Sequence, residues 1–166
     1  MSVETVIEAP GWAQADLESL VQSACDKTLT HLGHDPAGFE VAVLGCDDDR
    51  IAALNADFRG KAAPTNVLSW PADDLAAEED GALPHPPVPD FDDLAIELGD
   101  IAIAFETCQR EAGEQGKSFN DHVTHLVVHG LLHLMGYDHI RPKDAALMEG
   151  LEIEILAKLG VSDPYG

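Results

Sequence analysis

Three histidines, His129, His133 and His139, have the type and spacing to do metal chemistry. They sit in the run His129-Gly-Leu-Leu-His133-Leu-Met-Gly136-Tyr-Asp-His139. An α-helix turns once every 3.6 residues, so His129 and His133 project from one face, one above the other. Gly136 follows three residues later. Glycine accepts φ > 0 without a Cβ clash, so it can end the helix and turn the chain. That turn swings His139 back toward the first two. Two imidazoles from a helix and one from the next turn form an open tripod, which suits a zinc-type ion with a free coordination position.

The elements that must position this tripod can be read on either side of it. Ser118 and Asn120 offer N-caps for a helix of about sixteen residues, roughly 24 Å long, ending near Met135. His122 and His125 precede His129 by steps of 3 and 4 and share its face. His125 is a proton carrier, a group orienting a ligand, a fourth ligand or a hydrogen-bonded structural residue. Asp138 either orients a ligand imidazole, acts as a base, or closes the bend as a turn residue. After a loop at Arg141-Pro-Lys143, an amphipathic helix runs from Asp144 to Leu159 through Leu147, Met148, Leu151 and Ile155.

Upstream, strands are predicted over residues 3–9, 39–45, 67–70 and 98–104, and helices over 16–31, 48–58 and 105–112. Pro10-Gly11 should stop the first strand. The apolar run Phe39-Glu-Val-Ala-Val-Leu-Gly45 suggests a strand covered on both faces. Residues 71–97 break the pattern. They hold Pro71, Pro84, Pro86, Pro87 and Pro89 and are rich in acid, which predicts an exposed, mobile loop inserted in one domain, 1–166, with a lid as the alternative. The order predicts an α/β (α+β) fold: one sheet of about four strands packed with about five helices, the histidine helix in the core.

The totals narrow the function. At 166 residues the chain can bury a substantial core. No apolar run approaches the ~20 residues of a membrane span. The start Met1-Ser-Val-Glu-Thr lacks a signal-peptide pattern, and Cys25, Cys46 and Cys108 form no CxxC, so a reducing cytoplasm is expected. The formal net charge of −22 argues against a general nucleic-acid binder and demands a local basic site or a partner.

The full spacing, H-x-x-x-H-x-x-G-x-x-H, matches that of the metzincin zinc peptidases. Those enzymes place Glu directly after the first His as the general base; here that position is Gly130. A peptidase is therefore disfavoured, because its proton transfer has no agent.

A second run, Leu54-Asn55-x-x-Phe58-Arg59-Gly60-Lys61-x-x-Pro64-Thr65-Asn66-Val67-Leu68-Ser69-Trp70-Pro71, together with Leu98-Gly-Asp-Ile-Ala-Ile and the histidine stretch, resembles the YbeY family of bacterial endoribonucleases. The motifs follow the family's order over residues 54 to 139. The resemblance implies a small mixed sheet with surrounding helices in a metzincin-like arrangement, one Zn²⁺ per chain held by His129, His133 and His139, and a catalytic or RNA-binding role for Arg59. It implies cleavage of single-stranded RNA, in 3′-end maturation of the small-subunit (16S) ribosomal RNA and in ribosome quality control, with the small ribosomal subunit, its proteins or an assembly GTPase as partners. Where the family commonly reads Thr-Asp-Val-Leu-Ser, Asn66 replaces the acid. Arg59 has a planar fork suited to phosphate. Lys61, Arg141 and Lys143 are candidates for a basic rim that contacts RNA. Two other readings stay open: a metallohydrolase of another substrate, such as a peptide, and a ribosome assembly factor whose zinc is structural.

Overall fold

The computed structural model describes residues 1–89 and 94–166. Four strands, β1 (Ser2–Ile7), β2 (Phe39–Cys46), β3 (Val67–Pro71) and β4 (Ile96–Ala104), form one sheet in the order β1-β2-β4-β3. β1 and β4 run parallel to β2, whereas β3 is antiparallel to β4, so the sheet is mixed. The helices are α1 (Gly11–Gln14), α2 (Leu17–His31), α3 (Asp48–Arg59), α4 (Phe105–Gln115), α5 (Phe119–Leu134) and α6 (Pro142–Lys158).

The α/β architecture matches the sequence reading, with differences at the joints. α1 is a one-turn helix where Pro10-Gly11 was expected only to stop a strand. Pro10 occupies its N-cap, and the turn buries Trp12, whose indole N–H donates to the Cys46 carbonyl at 2.9 Å. α4 continues through Gly113 to Gln115. β4 begins at Ile96, inside the stretch read as loop. A register shift opposite Glu40/Val41 leaves Leu98 unpaired beside Gly99, which has φ of +134°. This is a bulge at a position only glycine occupies comfortably.

One face of the sheet carries the main core. Phe39, Val41 and Val43 of β2 and Leu98, Ile101 and Ile103 of β4 pack with Leu17, Val21, Cys25 and Leu29 of α2 and with α5. A smaller cluster on the opposite face joins Cys46, Leu68, Ala102 and Ala104 to Ile51 of α3. α5 lies in the core, as predicted: Val123, Val127, Val128, Leu131 and Leu132 are fully buried. Each such leucine contributes roughly 1.5–3 kcal/mol by burial, so the helix bearing the histidines is firmly seated. All three cysteines are buried and unpaired, and burial pushes the Cys25 and Cys46 thiols up to about 12.

The segment after β3 is exposed, as its composition implies, but its first half is tied down rather than mobile. The Arg141 guanidinium donates to the carbonyls of Ala77 and Glu78 at 2.9 and 2.8 Å, and to Asp144 at 2.6 Å. Gly81 N–H donates to Asp144, and Asp144 N–H to Asp80, each at 2.8 Å. The Asp144 carboxyl is held below its usual range by the Gly81 N–H, assisted by Arg141. These bonds strap residues 77–81 to the start of α6. The acid- and proline-rich stretch read as a loop also takes in positions 90–93, which lie outside the described residues.

Candidate metal centre

α5 starts where Ser118 accepts the Asp121 N–H at 3.1 Å, and ends at Gly136, whose φ is +99°. The Gly136 N–H returns to the His133 carbonyl and the Tyr137 N–H to the Leu132 carbonyl, each at 3.0 Å. This glycine-terminated helix end aims the next residues back along the helix. A Cβ on Gly136 would stand 2.7 Å from the Leu75 carbonyl group and 2.8 Å from Pro84, so glycine also permits the strapped segment to lie on the bend.

The turn brings His139 back as predicted. Its ring centroid lies 5.2 Å from that of His129 and 5.0 Å from that of His133. One ligand atom from each of the three imidazoles falls within 4.8 Å of the others. The ring orientations are set by the second nitrogens. His129 Nδ1 faces Glu152 Oε1 at 2.5 Å, and His133 Nδ1 faces the Tyr137 carbonyl at 3.0 Å. A carboxylate and a carbonyl can only accept, so both Nδ1 atoms carry the proton. Both Nε2 lone pairs then point at one spot, 3.0 Å apart. Two imidazole nitrogens at tetrahedral positions about 2.0–2.1 Å from a zinc ion stand a little over 3 Å apart, so the donor set fits that ion.

Burial, followed by the neighbouring His129 and His139, holds the His133 imidazole down from 6.5 to about 4. In metal-free protein this makes stability acid-sensitive. An unfolded His133 takes a proton as pH falls below about 6.5, whereas the folded one resists until about 4. The unfolded state therefore gains up to about 3 kcal/mol across that window. Glu152, held at about 2 against 4.5, adds a second loss as pH falls below about 4.5. Thermal melts of zinc-stripped protein should show a falling midpoint from pH 6.5 to 4; a flat midpoint over that range would contradict this reading.

The other candidates fall into place around the tripod. Arg59, at the end of α3, lines the same cleft of about 670 Å³ as His133 and His139, together with Phe58, Ser69, Asp73 and Ile140. Among the described residues, no carboxylate pairs with its guanidinium. Lys61 is exposed just beyond it. Arg141 is engaged by the strap, and the Lys143 stem packs on Gly81, so these two serve the loop. Asp138 closes the bend by accepting the His139 N–H at 2.7 Å, and stands 4.0 and 3.9 Å from the rings of His133 and His139. His125 turns away from the tripod: its Nε2 lies 3.1 Å from Glu152.

Gly130, where the peptidases carry their base, faces the sheet. A Cβ there would meet the Ile101 side chain at 3.3–3.5 Å. A glutamate would thus enter the α5–β4 interface. Asn66 also lies apart from the tripod. Its amide donates to Glu111 at 3.0 Å, and Glu111 also accepts from His122 at 3.0 Å. An aspartate could not donate there.

Sequence reasoning missed Glu152 and Tyr165. Glu152 is fully buried on α6 between Met148 and Ile155, so an acid on the apolar stripe of an amphipathic helix was its signal. Burial raises its carboxyl, and hydrogen bonds from His125, His129 and Tyr165 outweigh that and bring it to about 2.

The family model described as Endoribonuclease YbeY matches residues 5–160. Proteins named Endoribonuclease YbeY are similar to nearly the whole chain. The one from Ruegeria pomeroyi is 59% identical over 165 residues, covering 99% of this chain and 98% of that protein. The one from a Jannaschia species is 57% identical over 165 residues, covering 99% and 100%. The solution structure of a Thermotoga maritima protein shares the fold, with a TM-score of 0.57 at 22% identity over 98% of this chain and 97% of that one.

Proposed function

The chain belongs to the YbeY family of endoribonucleases, and we propose that it cleaves single-stranded RNA with a zinc ion held by His129, His133 and His139. The observation that supports this most is the shared cleft: two of the three imidazoles and the Arg59 guanidinium line one concavity. When bound, zinc supplies Lewis acidity toward a phosphoryl oxygen and acidifies a water held beside it. The chain's own residues do the rest. His129 and His133, locked by Glu152 and the Tyr137 carbonyl, keep two donors aimed at one point. The Arg59 fork, which lines the same cleft, holds a phosphate's non-bridging oxygens and the charge that builds on them. Lys61, exposed two residues beyond Arg59, offers a second cation to the RNA, and Asp73 to Ala76, just before the strap held by Arg141, wall the cleft.

The substrate we assign is ribosomal RNA. Maturation of the 3′ end of 16S rRNA and ribosome quality control, in the cytoplasm beside the small subunit, its proteins and an assembly GTPase, fit a chain of net charge −22. Such a chain repels free nucleic acid outside one local cationic edge and gains from a partner that presents the RNA. No helix among the described residues is long and apolar enough to cross a membrane.

Arg59→Ala separates metal from cleavage. Zinc content should stay at the wild-type level, while cleavage of a single-stranded RNA falls by about 100-fold or more, as for loss of one group stabilising transition-state charge. Unchanged cleavage would remove Arg59 from the reaction. A protein that cut casein and no RNA would favour the peptidase reading.

A further inference from the structure

Behind the tripod lies a closed polar cluster that the cleavage reaction does not reach. Glu152 has no exposed surface, and both its oxygens are taken. Oε1 accepts from His129 Nδ1, and Oε2 accepts from His125 Nε2 at 3.1 Å and from the Tyr165 hydroxyl. Tyr165 lies in the segment that follows α6. Its ring stands edge-on to His125, with centroids 5.6 Å apart, and the Lys117 ammonium holds the preceding Pro164 carbonyl at 3.3 Å. The chain's tail is therefore folded over a carboxylate that grips a candidate metal ligand.

We propose that Glu152 is the positioning residue of the metal centre, and that Tyr165, by capping it, makes the segment after α6 part of that centre. This rests on the tripod binding metal. The physical reason is tautomer control. A neutral imidazole carries one proton, and an acceptor at Nδ1 confines it there, so that Nε2 presents a lone pair to the ion. An anionic acceptor also makes the ring a better donor to the cation. Burial strengthens the effect, because no water competes for Oε1. Tyr165 and His125 supply the remaining donors the carboxylate needs to stay ionised in an apolar setting. His125, His129 and Glu152 have the spacing to ligate an ion themselves. The Tyr165 hydroxyl and the imidazole N–H groups already fill those oxygens, which favours the positioning role.

The test is zinc affinity of the full chain, by competition with a chromophoric chelator, for wild type, Glu152→Gln, Tyr165→Phe and His129→Ala. ¹⁵N spectra of the metal-free proteins would read the His129 tautomer in parallel. A glutamine can offer His129 either a carbonyl or an amide, so Glu152→Gln should bind zinc about 10–100-fold more weakly and lose the pure Nδ1–H form. Tyr165→Phe, altered only at a half-exposed tail residue, should weaken zinc by a few-fold with an unchanged fold. Wild-type affinity and tautomer in both variants would overturn the proposal. So would two zinc ions per wild-type chain with one lost in Glu152→Gln, which would make Glu152 a ligand. Absence of zinc from wild type and His129→Ala alike would instead overturn the metal reading on which it depends.

Discussion

His133→Ala is expected to empty the metal centre and silence RNA cleavage together. His133 contributes one of three donors, and its neighbours offer no substitute: Asp138 is committed to the His139 N–H, and His125 to Glu152. Zinc sites of this kind bind with on the order of 10 kcal/mol or more, so deleting a third of the donors should weaken binding by on the order of 1,000-fold or more. The fold should survive. The His133 side chain is about one-fifth exposed, at 22%, and its buried neighbours Leu131, Leu132 and Leu134 are untouched. Metal content after dialysis, RNA cleavage and a thermal melt would be measured on one preparation. Full zinc occupancy with wild-type cleavage would show that the ion, if any, sits elsewhere.

Gly136→Ala should damage both stability and metal binding without touching a ligand. An alanine at φ +99° is strained by about 1–3 kcal/mol. Its Cβ would also press on the Leu75 carbonyl group at 2.7 Å, and a backbone atom cannot swing aside as a side-chain tip can. Relief must come from moving the segment strapped by Arg141, the bend that carries His139, or both. A total loss of about 3 kcal/mol would lower the melting midpoint of a chain this size by roughly 6–12 °C. Zinc affinity should fall as well, because His139 depends on that bend. A melt within 2 °C of wild type would show that the bend relaxes easily. The contrast with His133→Ala is informative, since one change removes a donor from a sound scaffold and the other leaves all donors on a disturbed one.

Much of the site was legible because it is local. His129, His133, Gly136 and His139 lie within eleven consecutive residues, and helix geometry alone brings the first three into relation. The α/β order was legible for the same reason, from strand and helix periodicity. What escaped depends on distant packing. Glu152 meets His129 across 23 residues, and only because α6 docks on α5. Arg141 read as a free cation for RNA, whereas tertiary structure spends its donors on carbonyls 63 and 64 residues upstream. The proline-rich segment read as mobile from composition, which carries no information about the four hydrogen bonds that tie residues 77–81 to the start of α6. The role of Gly130 was half visible: the missing base could be seen, but the close approach to Ile101 could not.

The position of Tyr165 bears on when the centre is completed during synthesis. The three histidines emerge from the ribosome before Glu152, and Tyr165 emerges after Glu152. A nascent chain therefore carries the three ligands before it carries either the carboxylate that orients His129 or the hydroxyl that caps that carboxylate.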